Sequence, residues 1–302
     1  MSSLLEMTDI PMTNILEKCG FKSVLTLRKV CHSLRNFIDD SGFKTDLDNI
    51  EITIGPNGFS GICQNLNAYW GDGTGCDKDW TSNDLKIILK LIQNTKLSSF
   101  YVRANQDNFG GLDDLEEILK NQTRPLQTKS FAMKGTEILK VLPYLDSKLL
   151  KRITIIPENY QIRNQNLVGL EQFLELEQFK NAMELIIDSC FLVRADLRKL
   201  FHFQEIRVRL HETSMEELVA LKEAFVTSTH MVYFFLFSHK LNKNQLAQLF
   251  GTPFPNQYCG WQWFFKIRNC KEHVLRIEWG LSGLKFRKLE ANEVPQDAVV
   301  QH

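Results

Sequence analysis

Apolar positions near the amino terminus recur at helical spacing. Ile15, Leu16 and Cys19 follow Pro11, which suits a first helical turn because its missing N–H would have no partner there. Gly20 predicts the stop. A second helical stretch places Leu27, Val30, Cys31, Leu34 and Ile38 on one stripe, with Arg28, Lys29, His32 and Arg35 on the remainder, and Ser41-Gly42 ends it. After a short strand over 51–54, Gly55-Pro56-Asn57-Gly58 predicts a turn. A glycine-rich loop over 71–75 then leads into an amphipathic helix over 82–93.

From there one alternation repeats. Strand-like runs occupy 98–102, 129–133, 151–155, 183–187, 205–210 and 231–237, mostly separated by helix-patterned stretches at 113–121, 136–142, 167–179 and 214–226. With Phe100, Phe131, Ile153, Leu185, Ile206 and Val232 as markers, the steps run roughly 20 to 32 residues, close to the period of leucine-rich solenoids. A unit of that size cannot bury its own apolar face, so stacking of neighbours has to create the core. The predicted product is a parallel sheet with helices outside. Short strands at 263–267, 274–279 and 284–288 predict an antiparallel cap on the last edge, and 290–302 reads as a loose tail. The fold class is therefore α/β: a small amino-terminal helical module over 1–45, a connecting segment over 46–96, a degenerate leucine-rich-repeat-like solenoid over 97–240, a terminal β cap over 241–289, and the tail.

Charge narrows the partners. The chain has 302 residues with 36 Lys+Arg against 36 Asp+Glu, so no net field draws it to nucleic acid or to an anionic membrane. The first residues lack the charged start and apolar run of an export signal, and the most apolar stretch, 231–237, is far short of the ~20 residues a spanning helix needs. Seven cysteines, at 19, 31, 63, 76, 190, 259 and 270, form an odd set without CxxC or Cys/His metal spacing. They read as reduced thiols of a cytoplasmic and/or nuclear protein.

Candidate chemistry is sparse. The loop at 71–75 lacks the Lys-Ser/Thr of a phosphate cradle, and Asp72, Asp77 and Asp79 lack the order and terminal Glu of a calcium loop. Cys31 and His32, as helix neighbours, point about 100° apart and form no dyad. His202, His211, His230, His239 and His273 are scattered. The expectation is a non-catalytic binding protein without cofactor or metal.

Two stretches carry a family likeness. Ile15-Leu16-Glu17-Lys18-Cys19, followed by the run from Ser23-Val24-Leu25 to Val30-Cys31-His32-Ser33-Leu34-Arg35, resembles the F-box. That resemblance implies docking on a Skp-type adaptor of a cullin ubiquitin ligase, with Met7, Ile15, Leu16, Leu25, Leu27, Val30, Cys31 and Leu34 at the positions of the family's apolar contacts. Met7-Thr8 stands where the family usually has Leu-Pro, and Leu34 where it usually has Trp. From about 98 to 240 the chain resembles the FTH domain that follows the F-box in a nematode family. The likeness rests on Ile138-Leu139-Lys140-Val141-Leu142-Pro143-Tyr144, Leu149-Leu150-Lys151-Arg152-Ile153, Gln178-Phe179-Lys180-Asn181-Ala182 and Leu218-Val219-Ala220-Leu221. Together they imply a substrate-recognition subunit of an SCF-type ligase that captures an unknown protein target through its body. The alternative is a stand-alone repeat-type binding or structural protein whose F-box has drifted, as Thr8 and Leu34 suggest.

Overall fold

Alternation of buried and half-exposed side chains, the signature of strands with one covered face, organises most of this protein. The computed structural model describes residues 8–55, 58–65, 78–104, 109–135, 137–157, 165–166, 170–188, 191–237, 242–256, 260–281 and 283–301. They fall into two compact units, one ending at Lys151 and the other starting at Arg152.

The first unit opens with three short helices, α1 (Asp9–Lys18), α2 (Phe21–Leu27) and α3 (His32–Asp40). It continues through β1 (Leu47–Gly55), β2 (Gly58–Asn65), β3 (Lys78–Trp80), α4 (Ser82–Leu91), β4 (Leu97–Ala104), α5 (Phe109–Lys120) and β5 (Thr128–Lys134). The strand order is β5-β4-β1-β2-β3, with β1, β4 and β5 parallel and β2 and β3 added antiparallel. Register aligns Ile50 with Phe100 and Phe131, and Ile52 with Val102 and Met133. All six are buried, and the two Phe rings stack at 5.7 Å. Each such side chain contributes about 1.5–3 kcal/mol by leaving water. The inner stripes of α4 (Leu85, Ile88, Leu89) and α5 (Leu112, Leu115, Leu119) are equally buried. In β2, Gly61 lies under the Trp80 ring, where a Cβ would stand 2.2 Å from a ring carbon. Only glycine fits that crossing.

The second unit begins at β6 (Arg152–Ile156), β8 (Glu184–Ile187), β10 (Glu205–Arg209) and β11 (Tyr233–Phe237), all parallel. A two-stranded ladder of β7 (Gln165–Asn166) and β9 (Phe191–Leu192) lies apart from them. Between the strands run α6 (Glu171–Leu174), α7 (Glu177–Asn181) and α8 (Met215–Thr227). After β11 come α9 (Lys243–Phe250), β12 (Phe254–Asn256), β13 (Gly260–Lys266), β14 (His273–Gly280) and β15 (Gly283–Glu290). β15 pairs antiparallel with β11, and β14, β13 and β12 follow outward. One buried line crosses this sheet in register: Ile153, Leu185, Ile206, Phe234, Phe286, Ile277 and Trp263. Phe225 of α8 meets Phe234 and Phe286, and Phe250 of α9 meets Phe286 and Trp263, so these helices cover that side.

The architecture is thus mixed α/β, with a helical amino-terminal region ahead of sheet. Several expected elements differ in detail. The single second helix predicted across 27–38 is two, because the chain turns between Arg28 and Cys31. The stretch 136–142 forms 3-10 turns at Ile138–Lys140 and Leu142–Tyr144 instead of an α-helix: Pro143 has no N–H to give and disfavours α backbone at Leu142. Of the stretch 167–179, the described residues from 170 onward form the short helices α6 and α7 rather than one helix. The carboxyl-terminal residues are not a loose tail. Val300–Gln301 forms a final strand, β16, parallel to β13, and Val294, Ala298 and Val300 pack on Phe264, Val274 and Leu289. The loop at 71–75, with Asp72 and Asp77, lies outside the described residues.

Two outcomes follow. Removing residues 291–302 strips the cover from Phe264, Val274 and Leu289 and should cost about 2–4 kcal/mol, read as a lower denaturant midpoint and faster proteolysis. At the start of α4, the Thr81 hydroxyl, then its backbone N–H, and then the charges of Lys29 and Arg28 hold the Asp84 carboxyl below its ordinary value of about 3.8. A depressed carboxylate stabilises the fold above its unfolded pKa and loses that effect as pH falls through the folded value. Asp84→Asn should therefore lower stability at neutral pH and leave it nearly unchanged well below pH ~4, as equilibrium unfolding across that range would register.

Candidate docking surface

Helices of this length have little stability alone, so the inner stripe of α1–α3 decides which side chains remain outside. In α1, Met12 and Leu16 are buried one turn apart; in α2, Phe21 and Val24; in α3, Leu34 and Ile38. Phe43, just beyond α3, is buried as well, and α3 packs on α4. Pro11 stands in the first turn of α1, as its chemistry requires, and Gly42 follows α3 with φ +58°, a left-handed conformation that stops the helix.

The break between α2 and α3 shapes the surface. Lys29 and Val30 donate their N–H groups to Thr26 and Leu27, tightening the last turn, and Cys31 is extended at the head of α3. Arg28 then clamps the two helices: its Nε and Nη2 donate to both carboxylate oxygens of Asp39 at 2.6 and 2.8 Å, and Arg35 Nε donates to the Arg28 carbonyl. A two-bond guanidinium–carboxylate pair fixes direction as well as distance. The Phe21 N–H at the head of α2 donates to Asp46 Oδ1 at 3.0 Å. Thr45 and Thr95 bond through their hydroxyls, and Asn94 Nδ2 donates to the Gly42 carbonyl at 2.6 Å. The module is therefore tied at its exit to the connection between α4 and β4 by polar contacts.

The residues singled out from sequence separate into three groups. Leu16 and Leu34 are core, at 1% and 5% exposure, and cannot themselves meet a partner. Leu25 is half-buried and lines a cleft of about 280 Å³ between α2 and α4, facing the neighbourhood of Trp80 and Ile88. Ile15, Leu27 and Cys31 are half-exposed, and Val30 is 65% exposed on the turn. Met7 lies outside the described residues. Ile10, 76% exposed at the start of α1, was not singled out. It precedes the stripe, and no period marks it. The arrangement offers apolar side chains around a rigid turn, held in place from behind by Leu16, Val24 and Leu34. Among the described residues no three His, Cys, Asp or Glu side chains gather as a metal site, and no helix is long and apolar enough to cross a membrane.

Known families match both parts of the chain. The F-box domain matches residues 4–46, a span that contains α1, α2 and α3 entirely, and the FTH domain matches residues 111–254, from within α5 to the first residue of β12. A Caenorhabditis elegans protein described as F-box A protein 224 is 23% identical, over 77% of this chain. The match spans 65% of that relative's own length. With an F-box followed by an FTH domain and this relative behind it, the chain belongs to the nematode-type F-box/FTH proteins.

Proposed function

We propose that this chain is the target-selecting subunit of an SCF-type cullin ubiquitin ligase, working in the cytoplasm and/or nucleus. Its F-box docks on a Skp-type adaptor, and through that adaptor on a cullin, by way of Ile10, Ile15, Leu27, Val30 and Cys31. Leu16 and Leu34 hold that surface in shape from within, Leu25 supports α2 from the cleft side, and Met7 stands in the sequence at one of the family's apolar contact positions. The observation that carries the reading is an F-box whose turn leaves Val30 exposed beside half-exposed apolar neighbours, followed in the same chain by an FTH domain. A solvated valine contributes nothing to folding, but it contributes when a partner covers it.

The chain performs no chemistry in this account. The cullin holds a charged conjugating enzyme near the captured protein, and the effective concentration of that tether replaces catalysis by this subunit. The body that captures the target is read as degenerate leucine-rich-repeat-like, with β4 and β5 in the first unit and β6, β8, β10 and β11 in the second as the strands of its repeats, and β12–β15 as its cap. A stand-alone binding protein is the second reading. It is favoured by the departures at Thr8 and Leu34, the latter leaving a smaller side chain in the module's core than the family's Trp.

Two valines separate these readings. Val30→Asp places a charge on an exposed position, so circular dichroism and melting should stay as in the parent while capture of a purified Skp-type adaptor falls by at least about tenfold. Val24→Asp buries a carboxylate at a position with 0% exposure and should unfold the helical module outright, at a cost of several kcal/mol. Adaptor capture by the Val30→Asp chain at the parental level would remove the assigned face. A parent chain that captures neither adaptor nor cullin would favour the stand-alone reading.

A further inference from the structure

In the carboxyl-terminal unit, the side chains that alternate with the buried line through Ile206, Phe234 and Phe286 point away from α8 and α9. They have a distinctive make-up. Arg207, Phe235 and Lys285 stand side by side on β10, β11 and β15, and one step along β11, Tyr233 stands beside Arg287. Both residues are half-buried, and Phe237 packs against Phe235 with ring centroids 4.0 Å apart. The cations are placed by the rings: the Arg207 guanidinium lies 5.3 Å from the Tyr233 centroid, and the Lys285 ammonium 5.5 Å from that of Phe235.

The charges on this face are only partly answered. Glu278 lies 3.5 Å from Lys285 and 3.3 Å from Arg276, so one carboxylate serves two cations. Arg207 and Arg287 are exposed, and neither takes part in an ion pair among the described residues. The matching face of the amino-terminal unit differs. There Arg103 closes on Glu51 at 2.7 Å and rests on Tyr101, and small side chains such as Ala132 stand beside them. Its Nη2 is already paired within the unit, while its buried Nε has no hydrogen-bond partner among the described residues.

We infer that the Tyr233–Phe235 face of the carboxyl-terminal unit is the target-binding surface, and that its partner is a protein segment bearing carboxylates next to an aromatic or aliphatic side chain. Strands lie about 4.8 Å apart, so a carboxylate above Phe235 would have Arg207 on one side and Lys285 on the other, each able to give a charge-assisted bond. Tyr233 and Phe235, each half-buried, supply the apolar contact that a charge pair alone lacks. Nucleic acid fits less well. Half-buried rings with cations against them offer no platform for stacked bases. The inference rests on the adaptor reading only for calling the ligand a ubiquitination target; binding itself is independent of the F-box.

The test uses the full chain and fluorescence anisotropy with a labelled synthetic peptide that alternates glutamate with phenylalanine. Its lysine-for-glutamate counterpart and a single-stranded oligonucleotide serve as comparisons. The acidic peptide should bind saturably and more weakly as salt rises from about 50 to 200 mM. Arg207→Glu and Phe235→Ser should each weaken it about tenfold or more, and Lys134→Glu on the other unit should leave it unchanged. Arg207 is exposed, so its variant decides the matter if Phe235→Ser proves unstable in a thermal melt. Absence of saturable binding, indifference to Arg207→Glu, or displacement of the peptide by the oligonucleotide would overturn the inference. Adaptor capture is measured on the same preparations. Val30→Asp should keep the peptide and lose the adaptor, and Arg207→Glu should do the reverse, so either reading can fail while the other stands.

Discussion

Three helices of ten, seven and nine residues cannot persist unsupported, and the burial of their common inner stripe is the condition on which the amino-terminal surface depends. Met12, Leu16, Phe21, Val24, Leu34 and Ile38 are all turned inward. Once that stripe is used, the remaining apolar residues have nowhere to go but outside. Val30 is exposed because the turn between α2 and α3 lifts it away, and the Arg28–Asp39 clamp keeps that turn from relaxing. The proposed docking surface is what is left over from folding, held rigid by what folding consumed.

The same logic governs the sheets. Parallel strands need a crossover between them, and the crossover buries one face of each strand. In the second unit this buries a line from Ile153 to Phe234, and α8 and α9 extend the cover across the antiparallel strands to Trp263. The other face is free to carry specificity, since its residues are not needed for the core. β12 and β16 share the outer edge of β13, and β16 with the residues before it covers Phe264, so an otherwise open strand edge ends in pairing and packing.

The strands were the most legible part of the sequence. β4, β5, β6, β8 and β10 lie within about two residues of the runs read from alternation, because half-buried strands write their period directly. β2 was not foreseen: Gly58 and Gly61 weaken its pattern, and the second glycine is explained by Trp80, which no local rule connects to it. The α2–α3 break was hidden because Leu27, Val30, Cys31, Leu34 and Ile38 keep helical spacing across a turn that is not helical. Candidate site residues were legible as apolar but not as exposed. Leu34 and Val30 look alike in a stripe, and only packing separates a core residue from a surface one. The role of 290–302 was hidden for a related reason, since a two-residue strand added to an existing edge leaves almost no periodic trace.

The account stands or falls on whether a partner covers the turn that folding leaves exposed. Hydrogen exchange of the full chain, with and without a purified Skp-type adaptor, addresses this directly. Added protection is expected over the backbone from Ile10 to Cys31, strongest at Leu27–Cys31, with little change over β10 and β11. Protection confined to the body, or an exchange pattern unaltered by a saturating adaptor, would contradict it.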